Sequence, residues 1–216
     1  MTNQYPICDT DLIVKMCKCE QHEELFKYYK KINFADAVYQ EVKRNKKLSS
    51  KKSIDLIGSF EKAFSAIEDK RELGQAYIIN LFDQNDDVKK IINKHLRLEN
   101  IIYDDSNNKY ILKENIGEKV SIIYASVLGI AVILSDDNGS KEFANKFMRL
   151  NVIRLNDVLR NLGLSNDEIN KYNFIANHKY SKQAYDVLQK YEANGKLDNF
   201  VDIGILNEYR IRYKKE

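Results

Sequence analysis

The hydrophobic positions in the first half of the chain recur mostly at helical spacing. Apolar residues three or four positions apart predict a helix from about Leu12, helical structure over residues 54–81 and an amphipathic helix over residues 85–98. Asp36 precedes another helical pattern and is a candidate for its N-cap. We therefore interpret residues 33–36 as a break between two helices.

Short apolar runs predict strands elsewhere. Residues 5–8 form one run, and residues 130–134 form a second in which all five positions are apolar, as in a strand buried on both faces. A further strand is expected at residues 151–155. Residues 104–108 are typical of a turn between two β-prone pieces, which form either a small hairpin or a loop.

The second of these strands lies between two predicted helices. The first covers residues 117–128 and ends at Gly129, a residue suited to a helix C-cap. The second begins in the polar residues 135–139 and continues through Phe147. The order helix, buried strand, helix, strand is typical of a parallel sheet with helices on its faces, so the predicted fold class is α/β.

The pattern changes beyond about Asn161. A helix cap at residues 165–168 and an amphipathic stretch at residues 180–191 indicate a helical C-terminal extension. The predicted organisation is an α/β domain over residues 1–160 followed by this extension over residues 161–216.

Composition excludes several classes of protein. The chain has 216 residues, 44% of them hydrophobic and 31% charged, which excludes a disordered tail, a collagen-like chain and a disulfide scaffold. Its longest uncharged run, residues 121–135, is shorter than the roughly 18 residues of a membrane span, so no membrane association is expected. Three cysteines and an N-terminus without a basic leader predict a cytoplasmic protein with reduced thiols.

The net charge of +3 is too small to identify a polyanionic partner, but the basic residues are unevenly distributed. A cluster within residues 43–52 includes Lys43, Arg44, Lys46 and Lys47. Such a cluster is either a solvated helix face or part of a track for nucleic-acid phosphates.

Acidic residues follow the predicted strands. Asp9 and Asp11 come after the first strand, and Asp136 and Asp137 come after residues 130–134. Ligands of an open α/β sheet bind beyond the carboxyl ends of its strands. Carboxylates gathered there would repel one another and their pKa values would rise unless a cation compensates, which points to Mg²⁺ or Mn²⁺. Each acid taken alone is better explained as a helix cap, a helix-dipole partner or a solvated residue, and it is their joint placement after strands that favours a shared site.

Four segments, in this order, resemble the PIN-domain nucleases, many of which are toxin ribonucleases of prokaryotic toxin–antitoxin pairs. They are residues 7–13 (ICDTDLI), 37–42 (AVYQEV), 117–118 (GE) and 133–137 (ILSDD). The resemblance implies a central parallel sheet flanked by helices. It also implies the catalytic acids Asp9, Glu41, Glu118 and Asp137. The metal ligands it implies are Asp9, Glu118, Asp136 and Asp137.

The resemblance also implies an activity, the hydrolysis of phosphodiester bonds, most readily those of RNA. The implied cofactor is Mg²⁺ or Mn²⁺, and the implied role is that of a toxin or defence component. Ser135 matches the hydroxyl residue of the last motif and is assigned with the basic cluster to nucleic-acid binding. Two questions stay open: whether the protein binds an antitoxin or another protein, and whether it forms a homodimer. The alternatives are a catalytically weak or inactive PIN-like module that binds nucleic acid or protein, and a receiver-like domain with an acidic pocket.

Overall fold

A computed structural model describes residues 5–46, 58–111, 116–147 and 150–177, together with residue 193, and shows a parallel α/β fold. The strands of the described residues, in chain order, are β1 (Ile7–Cys8), β2 (Ile32–Ala35), β3 (Ala76–Ile79), β4 (Tyr103–Asp104), β5 (Lys109–Tyr110), β6 (Val132–Leu134) and β7 (Asn151–Ile153). Five of them form one parallel sheet in the order β3-β2-β1-β6-β7, and β4 and β5 form a separate antiparallel hairpin.

Helices flank this sheet. Those of the described residues, in chain order, are α1 (Thr10–Lys18), α2 (His22–Tyr29), α3 (Asp36–Lys46), α4 (Ser59–Glu72), α5 (Asp86–Leu98), α6 (Ile116–Leu128), α7 (Asn138–Ala144), α8 (Leu155–Asn161) and α9 (Asn166–Asn177). None of the helices in these ranges is long and apolar enough to cross a membrane. Because the described residues form a five-stranded parallel sheet with helices beside it, the predicted α/β class is confirmed.

Backbone pairing continues past the ends of the central strands and aligns the residues that follow them. The amide of Asp9 donates to the carbonyl of Leu134 (3.0 Å), and the amide of Ser135 donates to the carbonyl of Ile153 (3.1 Å). The residues that follow β1, β6 and β7 consequently emerge side by side at the carboxyl edge of the sheet, where α/β proteins bind their ligands.

The predicted helix–strand–helix unit around β6 is confirmed. Helix α6 ends at Leu128 and is followed by Gly129, whose φ of 71° is in the left-handed region, and the amide of Ile130 donates to the carbonyl of Ala125 (2.9 Å). Strand β6 is nearly buried because helices cover both faces of the sheet.

Two predictions about the first half of the chain were wrong. Residues 33–36 are not a break, because Ile32–Ala35 is the fully buried strand β2. The apolar pattern over residues 54–81 does not indicate one continuous helix, because α4 ends at Glu72 and Ala76–Ile79 is the edge strand β3. Residues 180–191, predicted to be amphipathic, lie outside the described residues.

The described part of the predicted extension is α9, which packs on α1. The Lys18 ammonium donates to the carbonyl of Ala176 (3.1 Å), and the side-chain amide of Gln21 donates to the hydroxyl of Tyr172 (3.0 Å). The boundary near residue 160 stays a prediction.

Candidate active site

The carboxyl edge of the sheet carries a cavity of about 200 Å³, here called the acidic pocket. Its lining residues are Asp9, Thr10, Asp11, Val14, Glu41, Phe60, Glu118 and Asp137. Five of these described side chains are carboxylic acids and none is basic. The pocket includes all four acids that the PIN resemblance implies as catalytic, brought together from the end of β1, from α3 and α6, and from the start of α7.

Asp9 is the most buried acid of the pocket, with 1% of its surface exposed. It is the N-cap of α1, because its Oδ1 accepts a hydrogen bond from the amide of Leu12 (2.9 Å), and its Oδ2 accepts one from the Ser135 hydroxyl. Burial raises the pKa of Asp9 to about 8, although both hydrogen bonds favour the ionised form and oppose the shift. Near neutral pH and without a compensating cation, the Asp9 side chain therefore binds a proton.

Glu41 enters the pocket from α3 and is held by a residue that the sequence interpretation did not single out. The hydroxyl of Thr10 donates to Oε2 of Glu41 (2.8 Å). Burial raises the pKa of Glu41, and the Thr10 hydrogen bond and the nearby charge of Arg44 oppose that rise. A Cβ atom at Gly117 would lie 2.7 Å from the same carboxylate oxygen, so a side chain at this first turn of α6 would displace Glu41.

Glu118 and Asp137 meet on the other side of the pocket. Burial raises the pKa of Glu118 to about 7, and the charge of Asp137 and a hydrogen bond shared with it add to the rise. Asp137 is also the N-cap of α7, since its Oδ1 accepts from the amide of Gly139 (2.7 Å). The hydroxyl of Ser140, another residue that sequence reasoning missed, is hydrogen bonded to that of Ser135.

The expected rise in carboxyl pKa is present, but its principal cause is burial. For Asp9, Glu41 and Glu118 the loss of water around the charge contributes more than repulsion by neighbouring acids. The site is therefore best described as a set of desolvated acids supported by the hydroxyls of threonine and serine residues.

A buried hydrogen-bond network joins the two helices that carry Glu41 and Glu118. Tyr124 of α6 donates through its hydroxyl to Oδ1 of Asp36 (3.0 Å), the first residue of α3. The other carboxylate oxygen of Asp36 accepts from the amide of Leu81 (3.0 Å), and the hydroxyls of Tyr124 and Tyr110 are 2.7 Å apart. This network fixes α3 against α6 and so limits the separation of the two glutamates.

Asp136, assigned to the metal ligands by resemblance, is not among the residues that line the acidic pocket. Its carboxylate binds Lys15 of α1 (2.7 Å) and accepts from the amide of Leu155 (3.2 Å), and its Oδ1 lies 3.4 Å from Nε of Arg154. Adjacent residues in an extended segment point in opposite directions. Asp136 therefore faces away from Asp137 and serves as the acceptor of a structural ion-pair network.

The basic cluster is described only in part, since Lys47 lies outside the described residues. Lys43 and Arg44 are exposed in the last turn of α3. Lys46 is partly buried, and its ammonium lies 4.2 Å from the ring centroid of Phe64. Lys43 and Arg44 are consequently the described members of the cluster best placed to meet a ligand that approaches the pocket past Glu41.

The chemistry of the acidic pocket fits a hard divalent cation, since its polar donors are all oxygen atoms. Within the described ranges, no group of three or more histidine, cysteine, aspartate or glutamate side chains has an arrangement that could hold a metal ion. The charge of the neighbouring Asp137 instead adds to the raised pKa of Glu118. Cation binding would therefore require Glu118 to lose its proton and the carboxylates to rearrange.

Comparisons with models of protein families, with curated proteins and with solved structures found no match for this chain. The resemblance to PIN-domain nucleases therefore rests on the four sequence segments and stays a prediction.

Proposed function

We propose that this protein is a metal-dependent endonuclease with a PIN-like fold that hydrolyses phosphodiester bonds, most readily those of RNA. The observation that carries the proposal is the acidic pocket, in which five carboxyl groups line one small cavity at the ligand-binding edge of a parallel sheet. Without a cation, the pKa values of Asp9, Glu41 and Glu118 are raised, which means that the ionised forms of these side chains are disfavoured.

In the proposed mechanism, Asp9, Glu118 and Asp137 hold Mg²⁺ or Mn²⁺. When bound, the cation supplies charge stabilisation for the phosphate and lowers the pKa of a water molecule. Glu41, held by Thr10, orients the attacking water or completes the ligand set. Ser135 keeps Asp9 in place through its hydroxyl and is itself fully buried, so its assignment to nucleic-acid binding stays a prediction.

The alternative is a PIN-like module that binds nucleic acid or protein with little or no catalysis. Its support is that the described carboxylates are not arranged around a cation. Measurements of metal binding and of catalytic turnover distinguish the two proposals.

Titration of the wild-type protein with Mn²⁺ is expected to show binding at the acidic pocket with release of protons. The protons come from Asp9 and Glu118, whose pKa values of about 8 and about 7 leave both groups partly protonated at neutral pH. Isothermal titration calorimetry in two buffers of different ionisation enthalpy measures both the affinity and the number of protons released.

Asp137→Asn is the test variant for this titration, and Asp87→Asn, at an exposed position in the first turn of α5, is its control. Loss of Mn²⁺ binding in the first variant alone supports the assignment. Equal Mn²⁺ affinity in all three proteins would contradict it.

Changing Lys43 and Arg44 to alanine is expected to weaken binding of single-stranded RNA and to flatten its salt dependence. If each residue neutralises one phosphate, the log–log slope of affinity against salt should become less steep by roughly 1.4, twice the value of about 0.7 per contact. Fluorescence anisotropy of labelled RNA measures this slope, and Mn²⁺ affinity should stay within about twofold of wild type. An unchanged slope would show that the basic cluster is a solvated helix face.

A further inference from the structure

A second cavity, of about 500 Å³, lies beside the acidic pocket and is here called the polar cavity. Three basic side chains line it, those of Lys15, Arg154 and Arg160, together with two acids, Asp136 and Asp157, and three asparagines. Basic side chains are absent from the described lining of the acidic pocket. The sign of the local charge therefore changes between two neighbouring cavities.

The sheet topology places the polar cavity at the same edge as the acidic pocket. Arg154 directly follows β7, and β7 pairs with β6, which leads to Asp137. Neighbouring strands are about 4.8 Å apart, so Arg154 emerges one strand away from the acids of the pocket. Lys15 lies between the two cavities, since its ammonium is 2.7 Å from both Asp11, which lines the acidic pocket, and Asp136.

Both arginines are accessible to a ligand. The side chain of Arg154 is 44% exposed and that of Arg160 is 57% exposed. Arg160 pairs with Asp157 (3.1 Å) one helical turn away, and Arg154 binds the backbone carbonyl of Asp136 (2.9 Å). Exposed ion pairs of this kind contribute little to stability, whereas guanidinium groups bind phosphate strongly through paired hydrogen bonds. An incoming phosphate can therefore replace the present partner of Arg160 at low cost.

We propose that the polar cavity binds a phosphate group of the substrate strand next to the phosphate that occupies the acidic pocket, a proposal that rests on the proposed nuclease function. Arg154 and Arg160 bind this flanking phosphate. Lys15 and Asp136 separate it from the acidic pocket and hold the turn before Asp137 in position. The substrate nucleic-acid strand then runs across the carboxyl ends of the β-strands β6 and β7.

The test compares two substrates in a double variant, Arg154→Gln with Arg160→Gln. For a short oligouridylate, KM in the presence of Mn²⁺ is expected to rise about tenfold or more, because two charge-assisted contacts are lost. For bis(p-nitrophenyl) phosphate, which has no flanking phosphate, kcat/KM is expected to stay within about twofold of wild type. An unchanged KM for the oligouridylate would overturn the proposal, and so would an equal loss on both substrates.

The matched control is Lys94→Gln with Arg97→Gln, which removes two exposed basic side chains from a surface cavity of α5 that shares no residue with the polar cavity. Similar KM changes in both double variants would indicate a nonspecific charge effect and overturn the proposal. Because Arg154 also contacts Asp136, Arg160→Gln alone is measured as well. It should raise the KM for the oligouridylate without lowering the melting temperature.

Two further measurements separate this proposal from others. The first is binding of inorganic phosphate. If phosphate binds the wild type but not the double variant, while the KM for RNA is the same in both, the polar cavity is a site for free phosphate and the proposal is overturned. If the wild type hydrolyses neither substrate, the nuclease function fails. Anisotropy of labelled oligouridylate then tests the subsite alone, with weaker binding in the arginine variant expected and equal binding contradicting it.

Discussion

Asp137→Asn is expected to lower kcat for Mn²⁺-supported hydrolysis of bis(p-nitrophenyl) phosphate by at least about 100-fold, equivalent to about 2.7 kcal/mol of transition-state stabilisation. The substitution removes one negative charge from the acidic pocket and weakens binding of the cation. Asparagine is as good an N-cap as aspartate, so the bond from the Gly139 amide to the start of α7 is retained. Initial rates at a single Mn²⁺ concentration that saturates the wild type measure the effect.

Melting temperatures recorded with the same samples separate loss of chemistry from loss of fold. Neutralising Asp137 removes a charge that raises the pKa of Glu118, so the variant should be as stable as wild type or more stable. Asp9→Asn should show a similar loss of activity, whereas the surface variant Asp87→Asn should not. An active Asp137→Asn protein with a normal fold would exclude the proposed catalytic site.

The unit around β6 could be predicted because several local signals agree there. The apolar run ends at Leu134, Gly129 closes the preceding helix, and Asp137 caps the next one. Each signal is determined by residues close in sequence. The local signals agree with one another and with the parallel sheet in which β6 pairs with β1 and β7, which is why the pattern was sufficient.

Strands β2 and β3 were missed because they are short and their local signals are misleading. Asn33 interrupts the apolar run of β2, but its side-chain amide donates to the carbonyl of Tyr5 (3.0 Å), so the buried polar group is satisfied by a residue 28 positions away. In β3 the apolar residues happen to continue the helical period of α4. The helix nevertheless ends before Gly74, whose φ is 68°.

The sequence was sufficient to predict that acids form the candidate site, but not how their side chains are oriented. Asp136 and Asp137 are equivalent in sequence, and only the partners of Asp136, Lys15 and Arg154, show which of the two faces the pocket. Those partners lie in α1 and just after β7, and no local pattern relates them to β6. The role of Thr10 depends likewise on the packing of α3 against α1, although its position directly after Asp9 could have served as a signal.

The free energy of unfolding measured in EDTA is expected to fall as pH rises from about 5 to 8, and Asp9 is the principal cause. The pKa of Asp9 is about 8 in the folded protein, against an ordinary value of 3.8. Between these values the folded protein binds one more proton than the unfolded chain, so stability is lost as pH rises through this range. A difference of one proton corresponds to about 1.4 kcal/mol per pH unit, or about 3 kcal/mol over two units. Glu118, with a pKa of about 7, adds to the effect.

Asp9→Asn isolates the contribution of Asp9, because an amide does not titrate and the side-chain oxygen of the variant would still accept from the amide of Leu12. Urea unfolding in EDTA across this pH range should show a shallower decline for the variant, since other titrating groups are common to both proteins. Mn²⁺ should restore the wild type at high pH by binding the folded state, and should leave the variant almost unchanged. Parallel pH dependences in the two proteins would mean that Asp9 is ionised in the folded state without a cation. The pocket would then carry its charges unassisted, and the main argument for a bound cation would be lost.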